Sequence, residues 1–147
     1  MRPTDEPICL YIVFSDHFIR EAGSGKFSLI GIFHQLIFNS FPATAPNFCI
    51  TAALNNFEGD LENVKVTMRL EERGSGHVAC SVSSTVNSKV KFTREMLVEI
   101  PVRMPRFSIS GPGEYELVVL VDNEKVGVRT LKILSTTGGP TSEIKGE

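Results

Sequence analysis

An alternation of apolar and polar residues with a period of two is the feature that most constrains this chain. In the run ENVKVTMRLEE, every second residue from Val64 to Leu70 is apolar, and the residues between them are polar or charged. The run HVACSVSS repeats the pattern, and Gly74-Ser75-Gly76 separates the two runs. A strand with one buried and one wet face has this pattern, and a short glycine-rich segment between two such runs indicates a hairpin.

Further runs predict more strands. Ile8 to Phe14 and Phe27 to Phe33 are apolar on both faces, so each is predicted to be a central strand covered on two sides. In EMLVEIPVRM, Pro101 cannot donate a ladder hydrogen bond, which places that strand at a sheet edge or at a bulge. Two apolar runs flank Asp122-Asn123-Glu124, which predicts another hairpin.

These patterns predict an all-β fold, a two-sheet antiparallel β-sandwich of the immunoglobulin-like or C2-like kind with roughly eight or nine strands. Residues 1–134 are expected to form one domain, and residues 135–147, which lack an apolar period, a mobile tail. Tyr115 follows a glycine-rich corner. It is therefore either a tyrosine corner, whose hydroxyl caps a backbone group, or a partly buried tyrosine at a sheet edge.

Composition restricts the partners and the compartment. The formal net charge of the 147 residues is -2 and the basic residues are scattered, so no nucleic-acid partner is expected. No stretch approaches the roughly 20 apolar residues of a membrane span, and the N-terminus lacks the features of a secretory signal, which indicates a cytoplasmic protein. The chain has an odd number of cysteines, Cys9, Cys49 and Cys80, and no C-x-x-C pair. This pattern favours three buried thiols over a disulfide framework or a zinc site.

The segment GSGK, residues 23–26, resembles the end of a phosphate-binding loop but fails its requirements. Arg20 stands where the first glycine of that motif is needed, and Phe27 stands where a hydroxyl must meet magnesium. The residues that follow are strand-like rather than helical. Gly23 and Gly25 instead suit a hairpin turn that needs positive φ.

Other catalytic and metal-binding patterns are weak. Four acidic residues lie in predicted loops and are candidate calcium ligands: Glu58, Asp60, Asp122 and Glu124. The simpler interpretation is that they are solvated turn residues. The chain has three histidines far apart in sequence, His17, His34 and His77. A small enzyme would require the fold to bring two of them together in one site. No catalytic residue, cofactor or metal ligand is therefore predicted, and the chain is expected not to be an enzyme.

An apolar connection is the remaining clue. Leu36, Ile37, Phe38 and Phe41 lie in HQLIFNSFPA, where a polar loop would be ordinary. They either fill the core or form a predicted interaction surface, for which an unknown protein partner or a homodimer is the simplest occupant.

Three segments carry a resemblance to a known group. REAGSGKFSLIGIF, the following FP, and GPGEYELVVLVDNEKVG resemble a family of small bacterial β-sandwich proteins of unknown function, over about Ile8 to Ile133. The resemblance implies an all-β fold and a bacterial intracellular origin, and it implies no site residues.

The sequence alone does not determine a function. It favours a non-catalytic protein-binding or structural β-sandwich module. The alternative is a calcium- or lipid-responsive C2-like domain that uses the acidic loops.

Overall fold

The fold is all-β over residues 7–136, which are the residues that the computed structural model describes. The alternating runs form strands as predicted, and the described residues contain eleven. Their bounds are β1 Ile8–Arg20, β2 Phe27–Phe33, β3 Gln35–Phe38, β4 Ala43–Ala45, β5 Phe48–Asn55, β6 Val64–Glu72, β7 Val78–Val86, β8 Val98–Met104, β9 Phe107–Ile109, β10 Gly113–Val121 and β11 Glu124–Ser135.

The strands form two larger sheets and one small ribbon. One sheet has the order β2-β1-β5-β8, and the other has the order β3-β11-β10-β6-β7, while β4 pairs with β9. Every pairing is antiparallel except that of β3 with β11, which is parallel. The strand number exceeds the prediction because β3, β4 and β9 have only three or four residues, too few for a clear alternation.

Side chains from both larger sheets meet in a single hydrophobic core. Phe14, Ile50 and Leu54 come from the four-stranded sheet, and Met68 and Leu117 come from the five-stranded sheet. All five are fully buried. Burial of one face of each sheet is the main source of stability for such a fold.

The sheets are joined where β1 passes β11 without a strand pairing. A Cβ built on Gly127 would lie 2.7 Å from the Cβ of Cys9, so the glycine allows the two strands to approach closely. The Arg129 guanidinium donates a hydrogen bond to the carbonyl of Ile12 and contacts Nδ1 of His34 at 2.9 Å. This arginine therefore ties β11 to β1 and to the connection between β2 and β3.

The segment GSGK is a hairpin turn, as predicted. The turn Glu21–Lys26 joins β1 to β2, and the turn Glu72–His77 joins β6 to β7. In each turn the first residue donates its N–H to the carbonyl of the last at 2.7 Å, and both glycines have positive φ. Ser24 and Ser75 donate to the glutamates that open their own turns. One pattern, E-x-G-S-G, thus closes two hairpins.

Other strand predictions have mixed outcomes. Pro101 lies in β8, which is an edge strand as predicted, and the β10–β11 hairpin turns at Asp122 and Asn123, both with positive φ. Tyr115 is buried in β10, between β11 and β6, so it is not at a sheet edge. Its ring lies 6.3 Å from that of Phe107, and a backbone hydrogen bond from its hydroxyl, which a tyrosine corner requires, is absent from the described residues.

The prediction that β2 is a central strand covered on both sides is wrong. It lies at the edge of its sheet, and β1 is its neighbour on one side. The apolar composition of both faces indicated burial, but this chain supplies no described strand beyond β2. The predicted tail, residues 135–147, falls outside the described residues beyond Thr136, and β11 itself continues to Ser135.

Candidate functional site

The surface predicted from the apolar connection is mostly part of the core. Leu36, Phe38 and Phe41 are half-buried and pack against the core cluster, and the rings of Phe38 and Phe41 lie 5.9 Å apart. Ile37 points the other way and is 43% exposed. Of the four predicted contact residues, Ile37 alone presents a large apolar side chain to solvent.

The acidic residues proposed for calcium do not gather. Glu58 lies 3.3 Å from Arg94, and Asp60 lies 3.6 Å from Lys91. The Asp122 carboxylate accepts the backbone N–H of Lys65 at 3.0 Å, across the strand junction. Within residues 7–136, no group of three or more His, Cys, Asp or Glu side chains is placed to hold a metal ion.

The histidines occupy separate elements. His17 lies in β1, His34 lies between β2 and β3, and His77 precedes β7. His34 is engaged by Arg129, and the backbone of His77 closes a turn. No site for acid-base chemistry is formed between two of them and a carboxylate in the part of the chain that is described.

The three cysteines are free thiols, and the pKa of two of them is raised. Cys49 and Cys80 are buried and Cys9 is half-buried. Burial raises the pKa of the Cys80 thiol to about 11, and burial, partly offset by a hydrogen bond to the Tyr11 carbonyl, raises the pKa of Cys9. Because the thiolate is the reactive form, neither group is activated at neutral pH.

The β1–β2 hairpin extends beyond the point where the four-stranded sheet ends. Pairing of β1 with β5 ends at Ser15 opposite Cys49, whereas pairing of β1 with β2 continues to Arg20 opposite Phe27. Residues 16–32 therefore form a two-stranded ribbon, which we call the β1–β2 arm. Among the described residues, no third strand pairs with either edge of the arm.

The arm is apolar on both faces. On one face Phe18, Phe27 and Leu29 are half-buried, and the rings of Phe18 and Phe27 meet edge to face at 6.0 Å. On the other face three isoleucines are exposed. They are Ile19 at 51%, Ile30 at 45% and Ile32 at 54%. A two-stranded hairpin with this surface is only marginally stable in water, so it benefits from further cover.

Local interactions stiffen the arm at its tip and at its base. The Arg20 guanidinium lies 4.1 Å from the centre of the Phe27 ring and donates to the carbonyl of Gly25 at 3.3 Å. Gly31 has φ of 72°, and the Asp16 side chain occupies the space that a Cβ at this position would need. The arm is therefore held as an ordered ribbon rather than as a loose loop.

The exposed isoleucine face ends where the arm meets the four-stranded sheet, because the next residues on that face, Ser15 and Cys49, are buried. Ile32 stands opposite Ser15, which stands opposite Cys49, so these side chains share the face that points away from the core. The next row along β5 contains Thr51, which is also buried and whose hydroxyl finds no hydrogen-bond partner among the described residues. The row of Ile32, Ser15 and Cys49 ends at the exposed Arg103 of β8, so the exposed apolar surface on this side is confined to the arm.

The arm was not predicted from the sequence as a site, although its signal is present. The run FSLIGIF contains no charge and no proline, the residues that protect exposed sheet edges in most proteins. The apolar pattern of a strand indicates that its side chains favour burial. It does not indicate whether the residues that bury them belong to the same chain or to a partner.

Comparisons with known proteins add a family and one distant structure. No curated protein matches the chain. One matching solved structure is the Pseudomonas fluorescens alkylpurine DNA glycosylase AlkC bound to DNA containing an abasic site analog. The match has 11% identity and a TM-score of 0.46, and it covers 84% of this chain and 30% of that chain. In the described part of the chain, no helix has the length and apolar character needed to cross a membrane.

The comparison with a DNA-bound protein corrects one prediction. The scattered basic residues led us to expect no nucleic-acid partner, and the glycosylase structure contains DNA. That exclusion is withdrawn. At this TM-score the match carries no argument about what the present chain binds, so we infer no nucleic-acid partner from it.

The family match covers nearly the whole of the described fold, including the arm. The model of the family of unknown function DUF6941 matches residues 10–134. This agrees with the resemblance to an uncharacterised group that the arm sequence and the β10–β11 hairpin carry. The chain therefore belongs to the DUF6941 family.

Proposed function

We propose that this chain is a non-catalytic protein-binding module that contacts its partner through the β1–β2 arm. The observation that carries the proposal is β2 itself, a seven-residue strand without charge and apolar on both faces, at a sheet edge that no other strand of residues 7–136 covers. Soluble proteins rarely leave such a strand exposed, and contiguous apolar surface of this kind marks interaction sites.

Other features support the same proposal. The histidines lie in separate elements, and burial raises the pKa of the Cys9 and Cys80 thiols. An immunoglobulin-like sandwich arrangement of the two larger sheets, a cytoplasmic location and a bacterial origin remain predictions from the sequence, and all three are compatible with a binding module.

A calcium- or lipid-responsive C2-like domain is the weaker proposal. Two of its four carboxylates lie beside cationic side chains, and a third accepts a backbone hydrogen bond. A calcium ion would have to displace these interactions before it gained several oxygen ligands.

The test of the proposed function is site-specific crosslinking with matched variants. A photoreactive benzophenone side chain replaces Ile30 in the arm, or Val90, which is 60% exposed and lies outside the arm. After irradiation in a lysate of the source cells, mass spectrometry identifies the adducts. We expect a discrete protein adduct from position 30 and none from position 90.

A competition step makes the result specific. Unlabelled wild-type protein should suppress the adduct, whereas an Ile30→Lys, Ile32→Lys double variant should not, because two buried charges oppose apolar docking. Circular dichroism should show both proteins folded, since the two side chains are exposed. Equal adducts from positions 30 and 90, or equal competition by the double variant, would contradict the proposal.

A further inference from the structure

The free edge of β2 raises the question of what kind of surface the partner presents. Strand β2 pairs with β1 through one edge only, and in an antiparallel pair about half of the strand's N–H and C=O groups point to the other side. Along Phe27–Phe33 these groups meet no further described strand. An added extended segment would satisfy them by the ladder that sheets already use.

The side chains beside this edge indicate the composition of such a segment. Ile30 and Ile32 lie on one face, and Phe27 and Leu29 lie on the other. Branched aliphatic residues at alternate positions of an added strand would pack beside the two isoleucines. The strand itself carries no charge from Phe27 to Phe33.

Cations stand at both ends of the edge. Lys26 precedes β2 at the tip of the arm and is exposed. At the base, His34 follows β2 and contacts Arg129 at 2.9 Å. Lys26 therefore favours a carboxylate on the end of an added segment that lies over the tip. At the base Arg129 favours a second carboxylate, and the Asp16 side chain, which lies against Gly31, is the opposing charge there.

The same charges disfavour a second copy of this chain as the occupant. An antiparallel pair of β2 strands, centred on the strand, would place each Lys26 beside the partner copy's base. Arg129 and His34 lie there together with the Asp16 carboxylate, so Lys26 gains no net attraction. Gly31 has a positive φ, and a second copy would bring a second such residue into the short ladder. A regular extended segment would add no residue with positive φ.

We infer that the partner adds an extended segment to the free edge of β2, with branched aliphatic residues at alternate positions and carboxylates at its ends. This inference rests on the proposed function and specifies how that binding occurs. It also explains why an uncharged strand is kept at an edge that is otherwise a liability.

The test uses a defined probe, the fluorescent peptide acetyl-Glu-Ile-Thr-Val-Thr-Ile-Thr-Glu-amide. Two derivatives carry N-methyl groups on alternate residues, one along each edge of the extended peptide. Fluorescence anisotropy with the full chain should show saturable binding. One derivative should bind like the parent peptide, and the other should lose at least about tenfold in affinity, because only one edge of the probe pairs with β2.

Protein variants and a charge control complete the test. The Ile30→Lys, Ile32→Lys variant should weaken the parent peptide by about tenfold or more, and Val90→Lys should leave it unchanged. A probe with lysine at both ends should bind more weakly than the parent. Amide hydrogen exchange should show new protection in β2 when the parent peptide is present.

Each contrary result has a distinct meaning. Absence of peptide binding, or equal affinity of the two methylated derivatives, overturns strand addition. If the crosslink at position 30 is retained in that case, the proposed function still stands. A dimer in analytical ultracentrifugation that the double variant abolishes would show that a second copy occupies the edge, which also overturns the inference.

Discussion

A single methyl group placed between β1 and β11 tests the joint between the two sheets. In Gly127→Ala, the new Cβ would lie 2.7 Å from the Cβ and 2.8 Å from the Sγ of Cys9, well inside ordinary contact. The Cδ1 of Ile12, at 3.8 Å, is at a normal distance. Because the Cβ of Cys9 is fixed to its backbone, a rotamer change cannot relieve the clash, and β1 or β11 must shift.

The expected cost follows from two opposing effects. Overpacking that moves the backbone costs about 1–3 kcal/mol. Replacement of glycine by alanine in a strand recovers about 0.5–1 kcal/mol of backbone entropy. The free energy of unfolding should therefore fall by about 1 kcal/mol, and by at most about 2.5 kcal/mol. Each kcal/mol lowers the melting temperature by about 2–4 °C in a chain of this size.

Urea denaturation of a double-mutant cycle measures the effect. In a Cys9→Gly background both clashing atoms are gone, so adding Gly127→Ala there should cost nothing or should stabilise. Gly111→Ala serves as a control, because a Cβ at Gly111 meets nothing within 4 Å. The reasoning is refuted if Gly127→Ala raises the free energy of unfolding, or if its effect is the same in the Cys9→Gly background.

Two further predictions concern a turn and a titration. Gly74→Ala should lower the free energy of unfolding by about 1–2 kcal/mol, because φ at Gly74 is 98°, whereas Gly111→Ala should be neutral; equal values in urea would contradict this. Burial, and then the 2.8 Å hydrogen bond from the Tyr11 hydroxyl to Glu99, raises the pKa of Tyr11 from 10.0 to about 12. Folding favours the neutral phenol, so this contribution to stability is present below pH 10 and is lost as the pH rises from 10 to about 12. Tyr11→Phe should remove that part of the decline, and parallel profiles for the two proteins would show the assignment to be wrong.

Local patterns in the sequence predicted the strands that can be identified without tertiary information. The hairpin around Asp122 and Asn123 was predictable because these residue types accept positive φ in a short turn. Pro101 was assigned to an edge strand because proline lacks the donor that an inner strand needs. Each of these predictions depends on the chemistry of a few consecutive residues.

The candidate site could not be predicted in the same way. Leu36, Phe38 and Phe41 looked like a surplus of apolar residues, and they pack against the core because β3 pairs with β11, almost a hundred residues away by number. Strand β2 looked covered because it is apolar on both faces, yet it lies at an edge. Periodicity measures the need of a strand for apolar contact, and sheet order determines where that contact is found.

The sequence by itself determined the all-β character, the hairpin turns and the rejection of a phosphate-binding loop at GSGK. These features depend on alternation, proline and glycine, whose effects act within a few residues. Only the tertiary structure decided that pairing of β1 with β5 stops at Ser15, so that no other described strand pairs with the β1–β2 arm. That outcome depends on which distant segments pair and where their pairing ends, and no local preference encodes it.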